Sequence, residues 1–402
     1  MSYTPQELTA VLQKYKAGKQ SLERRVIAAE NWWKLRNRFE EDKRPGAASA
    51  GDFRAVSGWL HNVIVSKHAD AMEAYPEPVI LPREPDDRAE AELLSAVVPC
   101  ILEQNAFERT WSDAMWQKLK TGTAAYRVGW DPDKLGGLGD ISIERVDLLN
   151  LFWEPGIADI QRSKFVFCTH LEDNDELEEE FPQLRGRLRG NPFTATRFLY
   201  DDAVSLDGKS TVVEAYYRRK RAGRTVLHYV KYVGDTVLYS TEEDTPQASP
   251  FRGKCPVRTL GDGGAKPGQA PSPDPAALSV SLSLDSSPEG GAKNAPPGLY
   301  AHGSYPFVLD PLFPVEGSPC GYGFVDLCHN NQTAIDLMRS AIIKNTVVGA
   351  TPRYFQRIDG SVNEEEFADL GRALVHVSGN LGEDSLRQIG FSPLSGVYMD
   401  VL

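Results

Sequence analysis

Residues 305–354 read YPFVLDPLFPVEGSPCGYGFVDLCHNNQTAIDLMRSAIIKNTVVGATPRY, and this stretch decides the fold. A short apolar strand is expected over 305–309. It breaks into a loop carrying Pro311, Pro314 and Pro319, because proline supplies no amide hydrogen to a ladder. Gly317, Gly321 and Gly323 then let the backbone turn sharply into a long helix expected over 324–350. Its apolar positions Val325, Leu327, Ile335, Leu337, Met338, Ile342 and Ile343 recur near helical spacing, with Asp336, Arg339 and Lys344 between them. Pro352 sets the stop, since the residue before a proline disfavours helix. The stretch holds no nucleophile with a base, no metal-ligand cluster and no phosphate loop. It reads as a helix that packs against other helices.

Outward from it, residues 5–40 read as one long helix or two, and the Pro45–Gly51 run ends them. Further helices are expected over 53–74, 85–105 and 107–121. At Gly122 the period changes to two, placing Ala125, Arg127 and Gly129 opposite Ala124, Tyr126, Val128 and Trp130 on a strand. More strands fit 141–146, 165–170, 212–219, 226–233 and 236–239, with Gly234-Asp235 as a tight hairpin. Helices followed by antiparallel strands give an α+β fold. The acidic run EDNDELEEE, 172–180, reads as a solvated helix face, or as an electronegative rim patch. Residues 245–297 are rich in Pro, Gly, Ser and Ala and offer too little apolar surface to offset ordering entropy. They read as a disordered surface insertion, with a local frameshift in the gene as a second source of such composition.

The chain has 402 residues, 41% of them hydrophobic and 25% charged, an ordinary soluble composition long enough for two or three domains. No run approaches the ~20 apolar residues of a membrane span. The N-terminal residues are polar and amphipathic, without a signal-peptide core. Both features lead us to expect synthesis in the cytoplasm. Five scattered cysteines, Cys100, Cys168, Cys255, Cys320 and Cys328, argue for reduced, mostly buried thiols rather than a disulfide framework. A net charge of −12 opposes tight DNA wrapping, which needs basic surfaces. It is compatible with a conduit along which DNA slides.

Catalytic readings find little support in the residues. The seven histidines, His61, His68, His170, His228, His302, His329 and His376, make no ligand spacing. Cys320, Cys328 and His329 lack the paired spacing of zinc sites. The glycines of LGGLGD, 135–140, lead into a strand and not a helix, and no Walker lysine follows Gly321-Tyr-Gly323. The expectation is a non-enzyme without cofactor or metal.

The opening stretch resembles the portal proteins of tailed bacteriophages, as do residues 59–132 and 140–167. In portals of this type a helical segment meets an "EP" or "NP" run, here around Pro76 and Pro78. A helix and strand pair then ends in a G-x-G/A-x-x-x-V-x-W-D pattern, here GTAAYRVGWD from Gly122 to Asp131. The resemblance covers most of residues 20–240 and 299–402. It implies a ring of usually twelve copies at a capsid vertex, assembled in the host cytoplasm. Double-stranded DNA would pass through it without sequence specificity. Terminase large subunit and capsid and tail or connector proteins would be its partners. It further implies a helical wing segment over 1–122, a strand-rich wing segment over 123–244 and the insertion over 245–298. A strand and Pro/Gly loop would complete the wing over 299–323. A stem helix over 324–350 and a clip-like segment over 351–391 would follow. A second stem helix starting at 392 would be cut at 402, so the chain reads as a fragment or a shortened reading frame. Subunit contacts are expected at Val325, Leu327, Ile335, Met338, Ile342 and Ile343. The alternatives from other classes are a phage DNA-processing or motor enzyme, and a non-catalytic interaction scaffold.

Overall fold

The computed structural model describes residues 3–35, 55–73, 75–131, 134–188, 207–221, 224–242, 299–300, 302–350, 354–356, 363–368, 376, 378 and 386–388. The expectations for 245–298 and for the second stem helix at 392 lie outside these residues, as does most of the clip-like segment. The chain divides into two compact units. The first is Met1–Glu30 with Ile64–Asp326, and the second Asn31–Val63 with Leu327–Leu402.

The first unit is built on two antiparallel sheets. Five strands form the larger sheet in the order β3-β4-β5-β6-β7: β3 Leu151–Trp153, β4 Phe165–Asp173, β5 Lys209–Arg221, β6 Arg224–Val233 and β7 Thr236–Ser240. The smaller sheet has the order β2-β1-β8, from β1 Thr123–Asp131, β2 Asp140–Arg145 and β8 Phe307–Pro311. The architecture is α+β, as the sequence indicates.

Strand alternation gives the larger sheet two buried faces. On one, Val166, Cys168, Tyr216, Leu227 and Tyr229 meet Ala125 and Phe307 of the smaller sheet. On the other, Phe165, Phe167, Val213, Ala215, Tyr217, Val230 and Tyr232 meet Leu8, Leu12 and Tyr15. Those three lie at helical spacing on α1 (Pro5–Trp33); residues 36–40 of the helical span expected over 5–40 lie outside the described residues. Midway along α1 the buried Lys19 ammonium donates to the carbonyls of Leu148 and Leu151. Its Nζ also lies 4.6 Å from the centre of the Phe152 ring. Burial pulls its pKa down to about 8, against nearby groups that favour the charge, Cys320 and Glu23 foremost.

Beyond α2 (Trp59–Glu73) and α3 (Arg88–Gln104), α4 (Phe107–Thr121) covers the outer face of the smaller sheet. Its Ala114 packs with Ala124 and Tyr126, and Phe107 flanks them. The Lys118 ammonium reaches the Asp310 carboxylate on β8 at 2.7 Å. Helix α5 (Asn174–Glu180) occupies the acidic run. Asp175, Glu176 and Glu179 face solvent, while Leu177 is fully buried with Leu184, Val212, Val233 and Leu238. The acidic run therefore includes a solvated helix face held by one leucine.

Several expected boundaries shift. The helix expected over 53–74 begins at Trp59. The strand expected over 305–309 is displaced to 307–311, because Tyr305 gives its amide and carbonyl to the Gln161 side chain instead of a ladder. It pairs with β1 and not with the 212–239 strands. Strand β3 was not foreseen. Its three residues, Leu151, Phe152 and Trp153, are too few to show a period, yet all are buried.

β1 is tied to the chain that follows β8 where α4 turns into β1. Gly122 sits at φ +89° and its carbonyl accepts from the amide of Leu312. A Cβ there would overlap the Gly321 carbonyl and the backbone of Tyr322 and Gly323. A Cβ at Gly321 would strike the Phe313 carbonyl, and one at Gly323 the Lys120 carbonyl. Two backbones thus cross with no room for a side chain on either. We predict that Gly122→Ala lowers stability by about 3–5 kcal/mol, combining left-handed strain with backbone overlap. Gly317→Ala, also at positive φ but in open space, should cost only about 1–2 kcal/mol. Urea unfolding of the two variants checks the contrast, and equal losses would refute the crossing as its cause.

Candidate functional site

Helix α6 (Phe324–Ala350) carries the residues expected to contact other subunits. It begins directly after the glycine crossing, and its start is held from two sides. The amide of Gly323 donates to the Asp326 carboxylate at 2.9 Å, an acid placed where the first turn's free amides need one. Arg25 on α1 donates to the Gly321 carbonyl at 2.8 Å and lies over the Tyr322 ring. Glu30 on α1 reaches Lys120 at 2.5 Å.

In the second unit the packed stripe of α6 is polar. Gln332, Asp336 and Ser340, four residues apart, share one side of the helix. Gln332 accepts from the amide of Leu60, a first-turn donor of α2 that has no partner within its own helix. Its Nε2 donates to the Ser57 carbonyl. Asp336, fully buried, accepts from both the amide and the hydroxyl of Ser57. Ser340 accepts from the Ala55 amide at 2.8 Å. The stacked rings of Trp33 and His61, 4.0 Å apart, belong to the same unit.

That polar seam leaves apolar side chains on the other sides of α6. Of the six expected contact residues, Val325 is buried within the chain and Leu327 is 52% exposed. Ile335, Met338, Ile342 and Ile343 are half-buried. Leu337 and Val347 are 64% and 54% exposed. A helix packed against this chain alone needs one apolar face; α6 shows a polar buried seam and apolar flanks. No helix among the described residues is long and apolar enough to cross a membrane.

A second feature lies between the sheets of the first unit. A cleft of about 510 Å³ is lined by Arg127 and Glu144 of the smaller sheet and by Cys168, His170, Glu214 and Lys231 of the larger one, among others. At its base Arg127 meets Glu214 at 3.0 Å, with the Glu214 side chain 5% exposed. The Tyr216 and Tyr229 hydroxyls donate to the same carboxylate at 3.1 and 3.0 Å. Burial works against ionisation of Glu214, but Arg127, His170 and the two hydroxyls outweigh it and hold its pKa below the usual value. Burial pushes both tyrosines well above theirs, so they remain donors. His170 and Lys231 share Glu172 at the rim, at 2.7 and 3.7 Å. Arg127, Tyr216 and Tyr229 thus converge on the one Glu214 carboxylate at the base of the cleft.

Sequence reading missed both features. A charge inside the apolar run VVEAYY, Val212 to Tyr217, was a visible signal for Glu214. Gln332 and Asp336 at a spacing of four were equally visible, but an apolar count passes over them. The thiols of Cys168 and Cys320 are buried, Cys328 is half-buried and Cys100 exposed, all free; Cys255 lies outside the described residues. Among the described residues no group of three or more His, Cys, Asp or Glu side chains could hold a metal ion.

Residues 69–254 match the family model described as phage P22-like portal protein. Over this region the chain is similar to phage portal proteins. The match takes in α3, α4 and both sheets as far as β7, including the Gly122–Asp131 pattern. No curated protein matches the chain.

For the buried Arg127–Glu214 network, we predict that Arg127→Met costs about 3–5 kcal/mol at pH 7, because it strands a buried carboxylate. The sign with pH follows from Glu214. Its lowered pKa contributes stability above the unfolded value, which is lost as pH falls through the folded value. Without Arg127, burial raises that pKa, so the deficit of the variant should shrink on acidification. Unfolding midpoints between pH 7 and 4 check this; a deficit that stays constant would refute it.

Proposed function

We propose that this chain is a subunit of a portal ring at the vertex of a tailed-phage capsid, through which DNA enters and leaves. The match to the phage portal family over residues 69–254 carries the reading. A structural, non-enzymatic role is general to that family, and assembly as an oligomer comes with it. The finer assignments are our own: usually twelve copies, a wing ending near residue 323, α6 as a stem helix, and terminase and tail proteins as docking partners. The apolar flanks of α6 support the stem assignment, since a helix between two neighbours in a ring presents more than one packing surface. The net charge of −12 supports a channel that DNA slides through, because a basic wall would hold it by counterion release.

Negative-stain images of the full-length gene product test the reading directly, and the expected particles are closed rings with a central hole. Leu327→Glu and Ile342→Glu should prevent ring closure, each by burying unpaired carboxylates at every contact. Leu327 is the cleaner site because it is exposed in the isolated chain. Circular dichroism should show an unchanged monomer. Rings of normal size in both variants would remove α6 from the contact. Purified protein should also hydrolyse no ATP and cut no DNA; metal-dependent turnover abolished by a point mutation in this chain would overturn the structural reading.

A further inference from the structure

The larger sheet is charged in opposite senses at its two ends. Strand β5 runs from Lys209 to Arg221, and its ladder with β4 sets Asp173 opposite Lys209 at one end and Phe165 opposite Tyr217 toward the other. At about 3.3 Å per residue, Ser210 and Lys220 stand about 33 Å apart. Helix α5 follows β4 at the first end and packs there on Val212 and Val233. Residues 172–188, which include it, hold seven acids and two arginines. At the second end β5 turns into β6, and residues 218–224 read RRKRAGR, five bases and no acid. In a chain whose net charge is −12, this basic block runs against its background.

Local partners absorb only part of this charge. At the acidic end Lys209 meets Asp173 at 2.9 Å and Lys231 meets Glu172 at 3.7 Å, while Glu176 and Glu179 are exposed. Glu178, Glu179 and Glu180 crowd the last turn of α5, where the helix dipole disfavours negative charge and no basic residue stands. At the basic end Arg218 donates to Gln161 Oε1 at 2.6 Å and Arg219 meets Glu242 at 3.1 Å. Lys220 is exposed, and the ladder sets Arg221 directly opposite Arg224, a like-charge pairing that costs stability. Each end thus carries charge placed against its local preference, and each has in excess the sign that would relieve the other.

We propose that the basic end of β5 and β6, at Lys220, Arg221 and Arg224, docks on the acidic α5 of a second copy of this chain, head to tail. Duplex DNA would satisfy the basic end but leave α5 unrelieved, whereas a second copy relieves both. Because the two surfaces lie at opposite ends of one sheet, a copy engaged through one keeps the other open. Such heterologous contacts close into a ring when the rotation between copies allows. The contact rests on the reading that copies of this chain assemble, and not on α6.

Charge reversal in two halves tests this on the full-length chain. Glu176→Lys with Glu179→Lys makes both ends basic, and Lys220→Glu with Arg221→Glu makes both acidic. In sedimentation velocity each variant alone should assemble about tenfold or more weaker than wild type. An equimolar mixture should regain wild-type assembly, since every contact then joins opposite signs. Circular dichroism and melting of the dilute variants should match wild type, as expected of surface substitutions. Wild-type assembly should weaken about tenfold or more as NaCl rises from about 0.05 to about 0.5 M. If a variant does not fold, that salt series is the test, and salt-insensitive assembly overturns the contact. Either variant assembling like wild type, or a mixture of folded variants that fails to recover, also overturns it. Closed rings that survive both reversals leave the portal reading in place and remove only this contact. Open, salt-sensitive oligomers lost in both variants keep the contact and remove the ring. A wild type that stays monomeric at low salt removes both.

Discussion

The crossing of two backbones at Gly122 and Gly321–Gly323 is the constraint from which the rest of the first unit follows. A helix, a strand, a loop and the start of a second helix meet where no side chain fits. Because the Gly122 carbonyl and the Thr123 hydroxyl take the amides of Leu312 and Gly321, residues nearly two hundred positions apart are fixed to one another. That contact sets β8 beside β1, and β8 in turn brings Phe307 onto the larger sheet. The first turn of α6 begins there already capped by Asp326.

Around the crossing, the larger sheet is buried on both faces, and this shapes its chemistry. A strand buried on both sides has no solvent face on which to place a charge, so Glu214 is charged only because Arg127 and two tyrosines surround it. The same pressure acts on Lys19, whose ammonium is spent on two main-chain carbonyls beside the short edge strand β3. Buried charge here orients backbone and joins layers.

Helix α6 shows how a single element can be read correctly in position and incompletely in role. Its limits, 324–350, are legible from the glycines before it and the proline after it. Its apolar positions suggested helix-to-helix packing. Within the chain, however, α6 is held by a polar seam of Gln332, Asp336 and Ser340 that closes the open amides before and within the first turn of α2. Such pairing depends on which helix end arrives opposite, and nothing in the local sequence of either element says so.

The sequence by itself determined the α+β class, α4 to the residue, most strand positions within three residues, and the Gly122–Asp131 pattern that ties the chain to phage portals. These are local properties: period, capping and turn chemistry act over a few residues. Tertiary structure alone decided that β8 leaves the strands preceding the insertion to join β1, that the three residues of β3 form a strand, and that Arg127 and Glu214 meet. Each of these is a contact between distant residues. The free energy of such a contact comes from burial and hydrogen-bond satisfaction, which exist only once the surrounding layers are in place.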